Sequence, residues 1–337
     1  MELCNTKLKS GHHCKRESGK CRYHSTTKNV DEISSLESNS DSDYDSDSSL
    51  EFDSKDVKSV DKIMEVMNKT SGSKPVKNFS FKNYRDYKEH REKIVKIDFD
   101  LDEFLATSEI NPKNRSAIIV PYRDTIDKVR SEQMKVFLEH YHNFLPNVKI
   151  YIVEQSDFKK KFNRGKLLNI GYKLAKKDGA QIYITHDIDL ISPKEMAPLY
   201  NLIPDHPVHI GGLWREKYPF EDFFGGIVSY NSNDYQKSNG FPNNFWGWAG
   251  EDDSQYNRLV INNIPIYVPH SKTLKIKGLE HESMSDNPKT KNLDKQDNIL
   301  KDFKNWEKNG VKNVKFKLLK ITKTPYKNAK VYTVDIN

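Results

Sequence analysis

Apolar positions are clustered unevenly along the 337 residues. Ala117–Ile118–Ile119–Val120–Pro121 is a short uninterrupted apolar run, as expected of a strand buried on both faces. Apolar residues then recur at helical spacing at Met134, Phe137, Leu138 and Tyr141. Lys149–Ile150–Tyr151–Ile152–Val153 predicts a second strand, Lys166 to Ala175 a second helix, and Gln181–Ile182–Tyr183–Ile184–Thr185 a third strand. Strands alternating with helices predict an α/β fold with a parallel core and βαβ crossovers. Such sheets bind ligands beyond the carboxyl ends of their strands, so the residues after Thr185 are the first place to look for chemistry.

The chain upstream of residue 115 reads differently. From 57 to 114 the pattern is mixed: Val60, Ile63, Met64 and Met67 suit a short amphipathic helix, and Gly72 to Pro75 interrupt it. This stretch is expected to be a partly helical linker and a subdomain edge. Residues 31–56 hold ten Asp/Glu against one Lys, with nine Ser interleaved. Such a segment cannot bury enough apolar surface to offset its ordering entropy, which predicts a disordered acidic spacer. Residues 1–30 carry all three cysteines, and Cys4, Cys14, Cys21 and His24 could hold a structural Zn²⁺. The alternative is an unstructured leader with unpaired thiols. This leader resembles the short Cys/His leaders of giant DNA virus proteins.

Charge follows the same divisions. The formal net charge is +7, made of +5 in residues 1–30, −9 in 31–56 and +11 in the remainder. A basic core suits an anionic nucleotide, whereas lysines scattered without a basic helix or stacking motif argue against nucleic acid. No apolar run approaches the roughly 18 residues of a membrane span, and no apolar core of a secretory signal is present. The folded part has no cysteine, which fits a reducing compartment. The expectation is a cytoplasmic protein, in a host cytoplasm or virion if the source is viral.

After Thr185 the chain reads His186–Asp187–Ile188–Asp189–Leu190. Carboxylates at i and i+2 leave a strand end on the same side and can share a divalent ion with a diphosphate, since oxygen ligands suit Mn²⁺ or Mg²⁺. Farther on, Phe245–Trp246–Gly247–Trp248–Ala249–Gly250 runs into Glu251–Asp252–Asp253 at the start of an expected helix with Tyr256, Leu259 and Val260 on one face. Acids in a first helical turn are ordinary dipole partners. A carboxylate beside an aromatic platform is also what activation of a sugar hydroxyl by a general base requires. Phe223–Phe224–Gly225–Gly226 offers a Gly pair that can admit a ligand against backbone or simply turn a buried strand. Glu280–His281–Glu282 could complete a metal site or lie in a solvated loop.

Together these stretches resemble the β-1,4-galactosyltransferases, glycosyltransferase family 7. The matching strings are Pro121–Tyr122–Arg123, FNRGKLLN at 162–169, HDIDL at 186–190, FFGG at 223–226, NGFPNNFWGWAGEDD at 239–253 and the closing strands to Asp335. The resemblance covers residues 115–337. It implies a GT-A fold, Rossmann-like with a mixed sheet, and an inverting transfer from a UDP-sugar with Mn²⁺. By position, Arg123, Phe162 and Arg164 would hold the nucleotide, Asp187 would lie near the ribose and donor sugar, and Phe223 and Gly226 would border the donor. Asp189 and His281 would bind the metal. Trp248 would pack against donor and acceptor, Glu251 would bind the donor sugar and Asp252 would be the base. The family's second arginine after Pro-x-Arg is here Thr125. Gly278 and Leu279 stand where relatives carry a further metal ligand.

The expected function is therefore a metal-dependent inverting transfer of a hexose, galactose first, from a UDP-sugar to a hydroxyl of a glycan or glycoconjugate. The competing expectation is a carbohydrate-binding or scaffold protein on a decayed transferase fold.

Overall fold

A computed structural model describes residues 96–124, 128–156, 160–214, 223–280 and 291–336. The Cys/His leader, the acidic spacer, the 60–67 helix, Thr125 and His281 lie outside the described residues. In chain order the elements are β1 (Lys96–Asp100), α1 (Leu101–Thr107), β2 (Ser116–Tyr122), α2 (Val129–Phe144), β3 (Lys149–Gln155), α3 (Arg164–Lys177), β4 (Ile182–His186), β5 (Leu190–Ile191), α4 (Ala197–Asn201), β6 (Ile227–Asn231), α5 (Ser232–Lys237), α6 (Glu251–Ile261), β7 (Ile266–His270), β8 (Lys277–Gly278), α7 (Lys295–Asn305), β9 (Lys317–Lys323) and β10 (Ala329–Asp335).

The main sheet has the order β6-β4-β2-β3-β10-β9. Its centre is parallel, with β2 flanked by β3 and β4 and β3 flanked by β10. Antiparallel strands β6 and β9 close the two edges, so the sheet is mixed. The run of β2 is apolar because both its faces are covered. Ile118 and Val120 join Phe137, Leu138 and Tyr141 of α2 in one core, whereas Ala117 and Ile119 join Leu167, Leu168 and Ile170 of α3 in the other. Alternate side chains point to opposite faces of a strand, so one apolar run serves two cores. At Gly171 the packing is close: a Cβ there would lie 2.2 Å from the Ile119 side chain.

Two small ladders extend this frame. β1 pairs in parallel with β7, and α1 follows it with Leu101 and Phe104 buried in the first core. Paired chain therefore begins at or before Lys96, within the stretch read as linker and subdomain edge. β5 pairs with β8, setting Leu190 opposite Gly278. No helix among the described residues is long and apolar enough to cross a membrane.

Candidate active site

The carboxyl ends of β2 and β4, the start of α3 and the start of α6 converge on one cluster. Arg164 is the first residue of α3, whose N-cap Asn163 accepts a hydrogen bond from the Lys166 N–H at 2.9 Å. Its guanidinium donates to Asp187 Oδ1 at 2.8 Å and to Asp252 Oδ1 at 2.6 Å, with Glu251 Oε1 at 3.5 Å. One cation thus joins a carboxylate from the end of β4 to two from the first turn of α6. Burial pushes the carboxyls of Asp187, Glu251 and Asp252 above the ordinary carboxylate range, against the opposing pull of Arg164. Glu251 Oε2 is buried with no hydrogen-bond partner.

The motif strings hold one another in place. Asn169 of α3 donates to the carbonyl of Phe241 at 2.6 Å and accepts from the Phe241 N–H at 3.0 Å. Asn163 donates to the Asn243 carbonyl at 2.8 Å, and the Gly247 N–H donates to the Phe162 carbonyl at 2.8 Å. FNRGKLLN is therefore the dock on which NGFPNNFWGW sits. Arg258 of α6 anchors the other side of that loop. Fully buried against Asp302, it also donates to the carbonyls of Asn239 and Gly240. Trp248 is left 42% exposed, three residues before Glu251 in the chain. The helix start is uncapped by a side chain: Gly250 takes a left-handed φ of 106°, and Asp253 pairs with Lys295 at 2.8 Å. Val260, expected on the buried face of α6 with Tyr256 and Leu259, is only half-buried.

FFGG closes the cluster from β6. The Gly226 carbonyl accepts from the Asp187 N–H at 3.0 Å, at a φ of 74° that favours glycine. A Cβ on Gly225 would lie 2.7 Å from Asp252 Oδ2, so bare backbone leaves room for that oxygen. Phe223 lies against His209, with ring centroids 5.4 Å apart.

Asp189 follows one turn later and faces α2. Arg130 donates to Asp189 Oδ2 at 2.9 Å and to Gln133 Oε1 at 2.8 Å. Gln133 in turn donates to the Glu280 carbonyl at 3.1 Å, and the Leu279 N–H donates to the Asp189 carbonyl at 2.7 Å. The segment that leads into His281 is thereby fixed beside Asp189. Among the described residues no three His, Cys, Asp or Glu gather as a ready metal cluster. Arg123, on the other rim, lies 5.4 Å from the Phe162 ring and donates to the Lys160 carbonyl.

Sequence reasoning missed Arg130 and the part played by His186. Arg130 stands in the first turn of α2, a short way beyond Thr125, the position that matches the family's second arginine. His186 is fully buried, and burial pushes its imidazole down to about 3, so it is neutral. Nδ1 donates to the Asp187 carbonyl at 2.8 Å, which leaves Nε2 to accept from the hydroxyl of Tyr141 or Tyr200. The histidine ties the Asp187 turn to α2 and α4.

A parallel-centred mixed sheet with paired carboxylates beyond β4 and an acid-tipped helix opposite is the GT-A arrangement. Two family models match the chain, described as the N-terminal region of glycosyl transferase group 7 over residues 65–201 and the N-terminal domain of galactosyltransferase over residues 205–282. Human β-1,4-galactosyltransferase 4 is 30% identical over 253 residues, covering 69% of this chain and 70% of that protein. Rat β-1,4-galactosyltransferase 3 is 31% identical over 216 residues, 62% of this chain. The chain spans about half the length of this relative, 52%. The catalytic domain of Drosophila β1,4-galactosyltransferase 7 in complex with xylobiose superposes with a TM-score of 0.57 at 26% identity, over 66% of this chain and 94% of that one. A second structure of the Drosophila protein, a mutant in complex with manganese, UDP-Gal and xylobiose, gives the same TM-score at 25% identity. The chain belongs to glycosyltransferase family 7, the β-1,4-galactosyltransferases.

Proposed function

We propose that the protein transfers a hexose, galactose first among candidates, from a UDP-sugar to a sugar hydroxyl with inversion at the anomeric carbon. The observation that carries this reading is the Arg164 cluster, which joins a motif carboxylate from the end of β4 to two from the first turn of α6. The relative solved with manganese, UDP-Gal and xylobiose supports the donor and acceptor classes.

Asp252 is the group assigned to the acceptor. Its Oδ1 is held by Arg164, and its Oδ2 lies over Gly225. A carboxylate whose proton affinity is raised by burial is a better base than an ordinary one. Oδ2 takes the proton of the acceptor hydroxyl as that oxygen bonds to the anomeric carbon and the bond to UDP breaks on the opposite face. The buried, unpartnered Oε2 of Glu251 suits a hydroxyl of the donor sugar, and Trp248 supplies a platform for sugar rings. Arg123, Phe162, Phe223 and Gly226 border the donor side.

The oxygen donors of Asp189, with an imidazole at His281 on the adjoining segment, fit Mn²⁺ better than a soft metal. Bound there, the ion would neutralise the diphosphate charge on the leaving UDP. Among the described residues Arg130 meets Asp189, and we assign it to the phosphate side in place of the arginine absent at Thr125.

Release of UDP from UDP-galactose on adding Mn²⁺ and an acceptor sugar tests the reading. Asp189→Ala is expected to weaken Mn²⁺-dependent UDP binding at least about tenfold by calorimetry, the loss of one charged ligand. Sugar binding without UDP release in the wild type would instead support a scaffold on a decayed transferase fold. Gly225→Ala is a second, purely steric test. Its Cβ would press on Asp252 Oδ2 at 2.7 Å and on the Phe223 ring at 3.0 Å, so kcat should fall by about tenfold or more, with a smaller rise in KM for the donor. Unchanged turnover in that variant would remove Asp252 Oδ2 from the reaction.

A further inference from the structure

The outer edge of the main sheet carries positive charge that the transfer reaction does not use. Between Glu307 and Asp335 the chain has no carboxylate, and Lys315, Lys317, Lys320, Lys323, Lys327 and Lys330 are all exposed. None of these six forms an ion pair among the described residues. Lys323 and Lys330 stand directly opposite each other in the β9–β10 ladder. Like charges in that position destabilise a sheet, so the fold carries a cost for keeping them. Asp335, opposite Lys317, supplies counter-charge at one end of the ladder.

Between the lysines, Leu319 and Ile321 of β9 are 45% and 46% exposed. β9 ends the sheet order, and the register of the hairpin shifts between Thr333 and Val334. Edge lysines and a bulge obstruct the addition of another strand, which argues against an extended peptide as the partner. Exposed aliphatic side chains contribute nothing to a phosphodiester backbone, and the aromatics among these lysines, Phe316 and Tyr326, are half-buried against the cores instead of standing out as stacking faces. Ile321 beside Lys323 and Lys330 on one face of the hairpin, with Lys317 and Lys320 on the other, makes the edge match a different surface, one with anionic groups outside and hydrocarbon just beneath.

We propose that the β9–β10 hairpin docks the protein peripherally on an anionic lipid membrane. Its lysines meet the headgroups, and Leu319 and Ile321 enter the boundary between headgroups and acyl chains. The proposal does not depend on the transferase reading.

Co-sedimentation of the full chain with vesicles tests it, using phosphatidylcholine alone or with about 30 mol% phosphatidylserine, at low salt and at about 0.5 M salt. The protein is expected to sediment with the anionic vesicles only, and to be released by salt. Lys317→Ser, Lys320→Ser, Lys323→Ser and Lys330→Ser together should lower vesicle affinity at least about tenfold. Leu319→Ser with Ile321→Ser should lower it severalfold while keeping the salt dependence, with circular dichroism melting as the check on folding. The basic leader is intact in every variant, so undiminished binding by the lysine variant overturns the proposal. Equal sedimentation with phosphatidylcholine, or none with phosphatidylserine at low salt, does the same. Binding of a DNA duplex that needs the lysines, together with vesicle binding that ignores Leu319 and Ile321, would reassign the surface to nucleic acid.

Discussion

Asp252→Asn is expected to lower turnover by about 10²–10⁴-fold, the usual contribution of a general base. The substitution is nearly isosteric, and the amide oxygen can still accept from Arg164 at the position Oδ1 now holds, 2.6 Å away. The proton-accepting capacity at Oδ2 and the charge facing Arg164 are lost, while the shape and the hydrogen bond at Oδ1 are kept. Affinity for the donor should therefore stay within about twofold, because the contact with Arg164 is retained. The pH profile separates this from a structural defect. Burial raises the Asp252 carboxyl well above its ordinary value. A base acts only when deprotonated, so wild-type kcat/KM should rise with pH through a window above the ordinary carboxylate range. The Asn variant should lose that limb. Asp253→Asn serves as the control, since that side chain points to Lys295 and should cost little. Near-normal turnover by Asp252→Asn with a large loss in Glu251→Gln would move the base to Glu251.

Legibility in the sequence followed the range of the interactions. β2, β3 and β4 read directly from their apolar runs because both sheet faces are covered. α2 read from spacing because it buries a single stripe, whereas α3 is buried all round from Leu167 to Tyr172. β1 did not: its five residues, KIDFD, alternate weakly, and their partner β7 lies far along the chain. The two-residue ladder of β5 with β8 has no pattern to read, yet it brings the approach to His281 alongside Asp189. The site divides in the same way. HDIDL and WGWAGEDD announce their chemistry locally, but the guanidinium that joins them belongs to a third string. Arg130 gave no local signal, since its meaning depends on Asp189, distant in the chain and adjacent in the fold. Gly225 was legible as a place of close approach. What it makes room for, Asp252 Oδ2, was not.

Arg164→Met should have the largest effect on stability. Removing one partner of a buried ion pair costs about 3–5 kcal/mol, because the remaining charge is left uncompensated. Here three carboxylates would be left, with Glu251 the most buried and Asp187 and Asp252 partly open to solvent. The lower end of that range is expected, since water can reach two of the three. A loss of that size would lower the melting temperature by about 10 °C. The sign of the pH dependence is the decisive part. Arg164 is the group that pulls all three carboxyls down against burial. Without it their folded-state values rise further above those of the unfolded chain. A carboxyl raised in the folded state binds its proton more tightly there, so its share of stability is present in acid and is lost as pH rises. The deficit of Arg164→Met relative to wild type should thus stay small through the ordinary carboxylate range and grow as pH rises above it, where the raised carboxyls ionise. Thermal melts of both proteins across that window measure it directly. Arg164→Lys should recover part of the stability through its charge but little turnover, because one ammonium cannot hold Asp187 and Asp252 in the geometry of the guanidinium fork. A deficit independent of pH would mean that Arg164 acts by packing against Phe241, and the three carboxylates would no longer form one electrostatic unit.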